Sequence, residues 1–333
     1  MINLKFTRKE FKFKEICQTS RGILKEKHSW FIEVWETKNP EIKGIGECSI
    51  IPGLSPDFES HEKYEKKLQD LCDDINVNLD LWPSIKFGFE TAILDLKNGG
   101  EKIIFKNSFI NGNKKIPING LVWMGDYKYM EKQIEEKLEQ GFSTIKMKIG
   151  AINFNDEIKL LSQIREKYSR KQISLRVDAN GAFTAEEALV KIDELSKFDI
   201  HSIEQPIMAG QINEMKKLCK KTKIPIALDE ELIGIYKYDC KVKLIKEILP
   251  QFLILKPSLH GGISGTKEWI KIAEKFNLNW WITSALESNI GLNAICQLSA
   301  EYENPLPQGL GTGSIYINNI PPNLKVKNGY IFI

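Results

Sequence analysis

Five short apolar runs in this chain each end on charged residues, and they recur at a nearly constant interval. The runs are Thr144-Ile145-Lys146-Met147-Lys148, Leu175-Arg176-Val177-Asp178, Ser202-Ile203-Glu204, Ile226-Ala227-Leu228-Asp229 and Phe252-Leu253-Ile254-Leu255-Lys256. From Lys148 the steps are 30 residues to Asp178, 26 to Glu204, 25 to Asp229 and 27 to Lys256. Such an interval holds one strand, one helix and two short loops. Runs rich in Ile, Leu and Val, separated by helical patterns, read as parallel strands buried on both faces. Eight such units close into a barrel whose chemistry lies at the C-terminal ends of the strands. The chain therefore reads as α/β, built on a TIM-like barrel.

At that mouth the pattern gathers three carboxylates and three lysines. Lys146 and Lys148 are two apart on one strand, so both ammonium groups project to the same side. Asp178, Glu204 and Asp229 are hard oxygen donors without cysteine or histidine beside them, a set that suits Mg²⁺. Their alternative role is to cap the helices that follow. Lysines beside such a site point to removal of a proton next to a substrate carboxylate. A divalent cation on that carboxylate stabilises the enediolate as a Lewis acid. The base must be neutral, and an ordinary lysine is neutral only about once in a thousand near pH 7.4, a cost of ~4 kcal/mol. Lys146, the cation and a dry site all disfavour charge on Lys148. Lys256, across the ring, faces the other side of a substrate.

The chain of 333 residues ahead of and behind these units is organised differently. Residues 1–115 read as a small α+β domain: strands over 3–14, 29–37 and 42–48, then helices over about 57–75 and 84–98. The barrel is expected over 116–314, with Gln308 to Gly313 as its eighth strand, and the tail 315–333 returns to the first domain. A net charge of +3 from 47 basic and 44 acidic residues gives no footprint for nucleic acid. The six scattered cysteines read as reduced thiols. With no apolar run long enough for a membrane span and no apolar leader after Met1, the reading is a cytoplasmic protein without membrane contact. His28, His61, His201 and His260 read as surface or loop residues, and Trp280 and Trp281 as barrel packing.

Taken together, Lys146-x-Lys148, Asp178-Ala179-Asn180, Glu204-Gln205-Pro206, Asp229-Glu230 and Lys256-Pro257 resemble the enolase superfamily, in its muconate-lactonizing-enzyme subgroup. The likeness covers essentially the whole chain. It implies a (β/α)7β barrel with a capping domain, and Mg²⁺, with Mn²⁺ as a substitute, on Asp178, Glu204 and Asp229. It implies Lys148 as the base, Lys256 as a cation over the ring of the enediolate, and Lys146 as the tuning neighbour. Asn180 and Glu230 would support the ligands from behind. Arg21 and the Pro52-Gly53 loop would cover the site, and Ser284, Ala285 and Leu286 would meet the substrate.

Gly120 to Gly125 and Ser284 to Ser288 are most similar to the branch that dehydrates a succinyl-bearing hydroxycyclohexadiene carboxylate. Dipeptide epimerases of the same superfamily usually carry Asp-x-Asp where this chain has Gly311-Thr312-Gly313. Racemisation of N-acylamino acids and muconate cycloisomerisation use the same residue types. A barrel that only binds is the reading from another class. The expected partner is a small carboxylate, and the sequence leaves monomer and homo-oligomer equally open.

Overall fold

The computed structural model describes residues 1–19, 22–321 and 323–333. The chain opens with a three-stranded antiparallel meander, β1 (Ile2–Thr19), β2 (Gly22–Glu36) and β3 (Asn39–Ser49). Alternation along β2 gives the sheet two different faces. Trp30, Ile32 and Val34 turn to one side and meet Tyr64, Leu68 and Leu71 of α1 (His61–Asp73), and Ile85 and Ala92 of α2 (Pro83–Lys97). Phe31 turns to the other side, with Phe11 and Phe13, and meets Leu286, Ile290 and Tyr316 from the far end of the chain.

Helix starts follow local chemistry. Ser60 accepts from Lys63 N to cap α1, and Pro83, which has no N–H to satisfy, opens α2. α2 lies so close to β3 that a Cβ at Gly46 would fall 1.8 Å from the Gly88 carbonyl oxygen. Gly46→Ala is accordingly expected to force the helix off the sheet and to cost ~2 kcal/mol or more, read as a lowered thermal midpoint. An unchanged midpoint would refute that close approach.

After β4 (Ile116–Pro117) the barrel runs β5 (Gly120–Val122), α3 (Tyr127–Glu139), β6 (Thr144–Lys148), α4 (Phe154–Lys167), β7 (Ser174–Asp178) and α5 (Ala185–Leu195). It continues β8 (Ile200–Glu204), α6 (Ile212–Lys221), β9 (Ile226–Leu228), α7 (Tyr238–Ile248), β10 (Phe252–Leu255), α8 (Gly262–Lys275), β11 (Asn279–Ile282) and α9 (Asn289–Ala300). β5 to β11 form one curled parallel sheet in chain order. Thr184 caps α5: its Oγ1 accepts from Glu187 N and donates to Glu187 Oε2 at 3.0 Å. Glu90 of α2 accepts from Ile263 N and Ser264 N at the start of α8, where an anion complements the helix dipole.

The eighth strand, expected over 308–313, is reduced to a bridge. Gln308 N donates to Pro117 O and Asn119 N to Gln308 O, while Gly309 N donates to Ile282 O and Ser284 N to Gly309 O. Two residues thus join β11 to the first strand and close the ring. Gly309 leaves no room for a side chain, since a Cβ would meet Thr283 Oγ1 at 2.3 Å. Beyond it the glycines turn the chain away. Ile315 to Ile317 then run beside β1, with Tyr316 bridged to Phe13. The end of the chain goes elsewhere: β12 (Lys325–Lys327) and β13 (Tyr330–Phe332) form a small sheet with Ile116 and Pro117 of β4.

Candidate active site

Residues of one parity on the barrel strands share its inner face. On that face Lys146 and Lys148, Arg176 and Asp178, Ser202 and Glu204, Ala227 and Asp229, and Ile254 and Lys256 follow one another around the ring, with Lys148 level with Asp178 and Asp178 level with Glu204. The polar ends meet. Lys146 Nζ donates to Asp178 Oδ2 and Glu204 Oε2, both at 2.8 Å. Lys148 Nζ donates to Asp178 Oδ2 at 2.7 Å and to Asn180 Oδ1 at 2.6 Å. Lys256 Nζ donates to Asp229 Oδ2. All six charged groups are buried.

Their proton affinities diverge. Burial works against charge on Lys146, yet the Asp178 and Glu204 carboxylates outweigh it and hold its pKa above the ordinary lysine value. Lys256 is likewise held up, by Asp229 against burial. Lys148 goes the other way: burial, reinforced by Lys146 and Lys256, overcomes the pull of Asp178 and lowers it. Burial and the neighbouring Asp178 push Glu204 up. Asp178 and Asp229 are pulled down by their lysines despite burial. Three lysines in one site therefore divide into two fixed cations and one amine biased towards neutrality.

The acids suit a divalent cation. Glu204 Oε1 and Asp229 Oδ1 are buried and accept no hydrogen bond, a costly state for carboxylate oxygens in a dry interior. Oxygen donors without sulfur or imidazole match Mg²⁺. Among the described residues, the set whose donor atoms already lie within 4.8 Å of one another is elsewhere, the largely exposed Glu10, Glu26 and His28 on the antiparallel sheet. The barrel trio is more widely spread, and Lys146 bridges two of its members.

Above these groups lies a cavity of about 290 Å³. Lys146, Lys148, Lys256 and Asn180 form its polar wall, and Leu24, Ile51, Leu54, Leu121 and Trp123 its apolar one. Ser284, Ala285 and Leu286 line it too, as does Pro52. The structure thus brings the expected contact residues to one chamber with the lysines; Arg21 lies outside the described residues. Asn180 Nδ2 donates to Glu230 Oε1 at 2.9 Å, and Asn180 N to Asp178 Oδ1 at 3.1 Å, so Asn180 links Glu230 to Asp178 at the cavity wall.

Several residues escape the sequence reading. His260 is no surface residue: it is fully buried, its Nδ1 accepts from Lys256 N at 3.0 Å, and burial pushes its pKa down to about 3. His201 also packs inward, its ring 5.0 Å from that of Phe252. Arg176 crosses the barrel interior with its guanidinium 3.8 Å over the Trp281 ring and donates to Pro307 O at 2.7 Å. Its signal was available, two residues before Asp178 on the same face. Gln205 Oε1 accepts from Asp229 N and Glu231 N, and its φ of 38° joins those of Asn180 (46°) and Leu286 (61°) in the left-handed region. Such backbone strain gathers at working sites.

Residues 129–333 match the sequence family described as Enolase C-terminal domain-like. Over 99% of this chain and 98% of the relative, identity is 41% to the o-succinylbenzoate synthase of Desulfotalea psychrophila (strain LSv54 / DSM 12343). The chain belongs to the enolase superfamily. The crystal structure of MenC from Desulfotalea psychrophila LSv54 superposes with a TM-score of 0.89 at 38% identity, covering 100% of this chain and 99% of that one. Muconate lactonizing enzyme from Pseudomonas fluorescens shares the fold, with a TM-score of 0.84 at 21% identity over 99% and 93% of the two chains. Enzymes of the enolase superfamily generally use Mg²⁺ and act on small molecules. No helix among the described residues is long and apolar enough to cross a membrane.

Proposed function

We propose that this chain is an o-succinylbenzoate synthase, removing water in syn fashion from 2-succinyl-6-hydroxy-2,4-cyclohexadiene-1-carboxylate in menaquinone biosynthesis. The observation that carries this reading is one cavity with Lys148, Lys146 and Lys256 on its wall above three buried acids. The whole-length likeness to a synthase selects among the reactions that begin with loss of an α proton. We read residues 1–115, joined by Ile315 to Ile317 of the returning tail, as a cap over the barrel of 116–314, and the setting as cytoplasmic.

Asp178, Glu204 and Asp229 would hold Mg²⁺, or Mn²⁺ in its place. When bound, it supplies Lewis-acid stabilisation to the substrate carboxylate as negative charge builds there. Lys148, neutral and oriented by Asp178 and Asn180, takes the proton alpha to that carboxylate. The ammonium so formed gives its proton to the hydroxyl leaving from the same face, which releases water and makes the ring aromatic. Lys256 keeps its charge and faces the ring from the other side. Lys146 keeps Lys148 low, and Asn180 and Glu230 hold the assembly from behind. The apolar wall accepts the ring, and Ser284 to Leu286 the succinyl arm. At 311–313 no carboxylate stands ready for a substrate ammonium, which favours dehydration over dipeptide epimerisation.

Dehydration followed by absorbance tests the reading. EDTA is expected to lower the rate by about 100-fold or more, because Lewis-acid stabilisation is worth several kcal/mol. Mg²⁺ or Mn²⁺ restores it. Faster racemisation of N-acylamino acids or of Ala-Glu than dehydration, or a rate indifferent to chelation, would overturn the proposal.

A further inference from the structure

A second buried polar network lies beside the catalytic one, and no step above uses it. Its centre is Glu287, fully buried at the end of the pocket-lining segment. One carboxylate oxygen accepts from Ser258 Oγ, two residues beyond Lys256, and the other from Ser284 Oγ at 2.7 Å. Ser284 Oγ in turn accepts from Thr312 Oγ1 at 2.8 Å. Glu287 therefore ties together the loops that follow three neighbouring barrel strands.

The antiparallel sheet holds the same segment through a polar cluster of its own. Lys27 is buried, donates to Ser29 Oγ at 3.1 Å and to Ser49 Oγ, and lies 4.0 Å from Glu47. Glu47 accepts from Ser288 N at 2.9 Å, Ser288 Oγ at 2.6 Å and Gly291 N at 2.9 Å, and so holds the start of α9. Ser49 Oγ, which Lys27 holds, donates to Ala285 O at 3.4 Å, and burial lowers the Lys27 pKa against the pull of Glu47 and Glu287. Between these anchors Leu286 is held in the left-handed region, a conformation a non-glycine residue keeps only where its surroundings fix it. Its carbonyl accepts from Tyr316 OH at 2.6 Å.

We propose that Glu287 is a positioning residue: by bridging Ser258 and Ser284, with Lys27 of the antiparallel sheet joined to the same segment through Ser49, it fixes the strained segment Ser284–Leu286 against the substrate cavity. This rests on the synthase reading for its kinetic arm only. Substrate is then seated correctly only while the antiparallel sheet is docked, because Ser49 and Glu47 of that sheet hold the two ends of the segment.

The test compares Mg²⁺-loaded full-length wild type with Glu287→Gln, Lys27→Met, their double variant and the milder Ser258→Ala. Hydrogen exchange of residues 283–288 is read alongside kcat and KM. Glu287→Gln is expected to speed exchange there and to lower kcat/KM by about 100-fold, chiefly through KM, as for a misplaced binding segment. The double variant is expected to be no worse than the worse single one, because both groups act through the same segment. Ser258→Ala, which breaks one bond of the bridge, shows the same changes at smaller size and decides the matter if Glu287→Gln does not fold. The inference is overturned if exchange and KM stay within about twofold of wild type in the variants that fold, or if the losses of the single variants simply add. A wild type that does not dehydrate the substrate removes the functional reading instead, and the exchange data still judge the bridge.

Discussion

Lys148→Ala is expected to lower kcat for dehydration by about 10³- to 10⁴-fold, at the upper end for a general acid–base, because one amine both takes the proton and gives it back. Folding survives the change. Asp178 keeps Lys146 at 2.8 Å, so no buried carboxylate is left without a cation. Melting within a few degrees of wild type confirms that the loss is chemical. In wild type the rate also carries the signature of the base. The amine must be unprotonated to act, so kcat/KM falls as pH drops below its pKa and rises through it. That inflection lies below the ordinary lysine value of about 10.4, since burial, Lys146 and Lys256 all disfavour the ammonium. In Lys148→Ala the inflection disappears. Activity within about tenfold of wild type would exclude Lys148 as the base.

Glu204→Gln is expected to separate cation binding from folding. One of its oxygens accepts from Lys146 and the other accepts nothing. An amide of the same shape keeps the packing, while Lys146 retains Asp178. Losing one of three anionic donors should weaken Mn²⁺ binding by about 100-fold or more, read by calorimetric titration, with dehydration falling at least as far. Mg²⁺ should raise the melting point of wild type, since a ligand that binds only the folded state stabilises it, and should raise that of the variant far less. Unchanged Mn²⁺ affinity would remove Glu204 from the cation site.

What could be read without coordinates was whatever repeats. The interval from Lys148 to Lys256 betrayed the barrel because helix and strand lengths are nearly fixed, and a charge at the end of a buried strand must point into the mouth. The supports Asn180 and Glu230 were visible because they lie one or two residues from the acids. Long-range pairings left no local trace. Nothing near Ser49 announces that it donates to the carbonyl of Ala285, 236 residues away in the chain. His260 looked like a loop residue because its burial depends on a turn that folds it back onto the Lys256 amide. The eighth strand was overestimated for a related reason. Its glycines satisfy a tight closure over two residues, and strand periodicity cannot distinguish that from a longer run.

The most direct measurement is a crystal structure of the full chain grown with Mg²⁺ and the aromatic product. The cation is expected on Asp178, Glu204 and Asp229, with the ring held between the amines of Lys148 and Lys256 and the succinyl arm against Ser284 to Leu286. A cation seated elsewhere, such as at Glu10, Glu26 and His28, or a product with both amines on one face, would contradict that expectation.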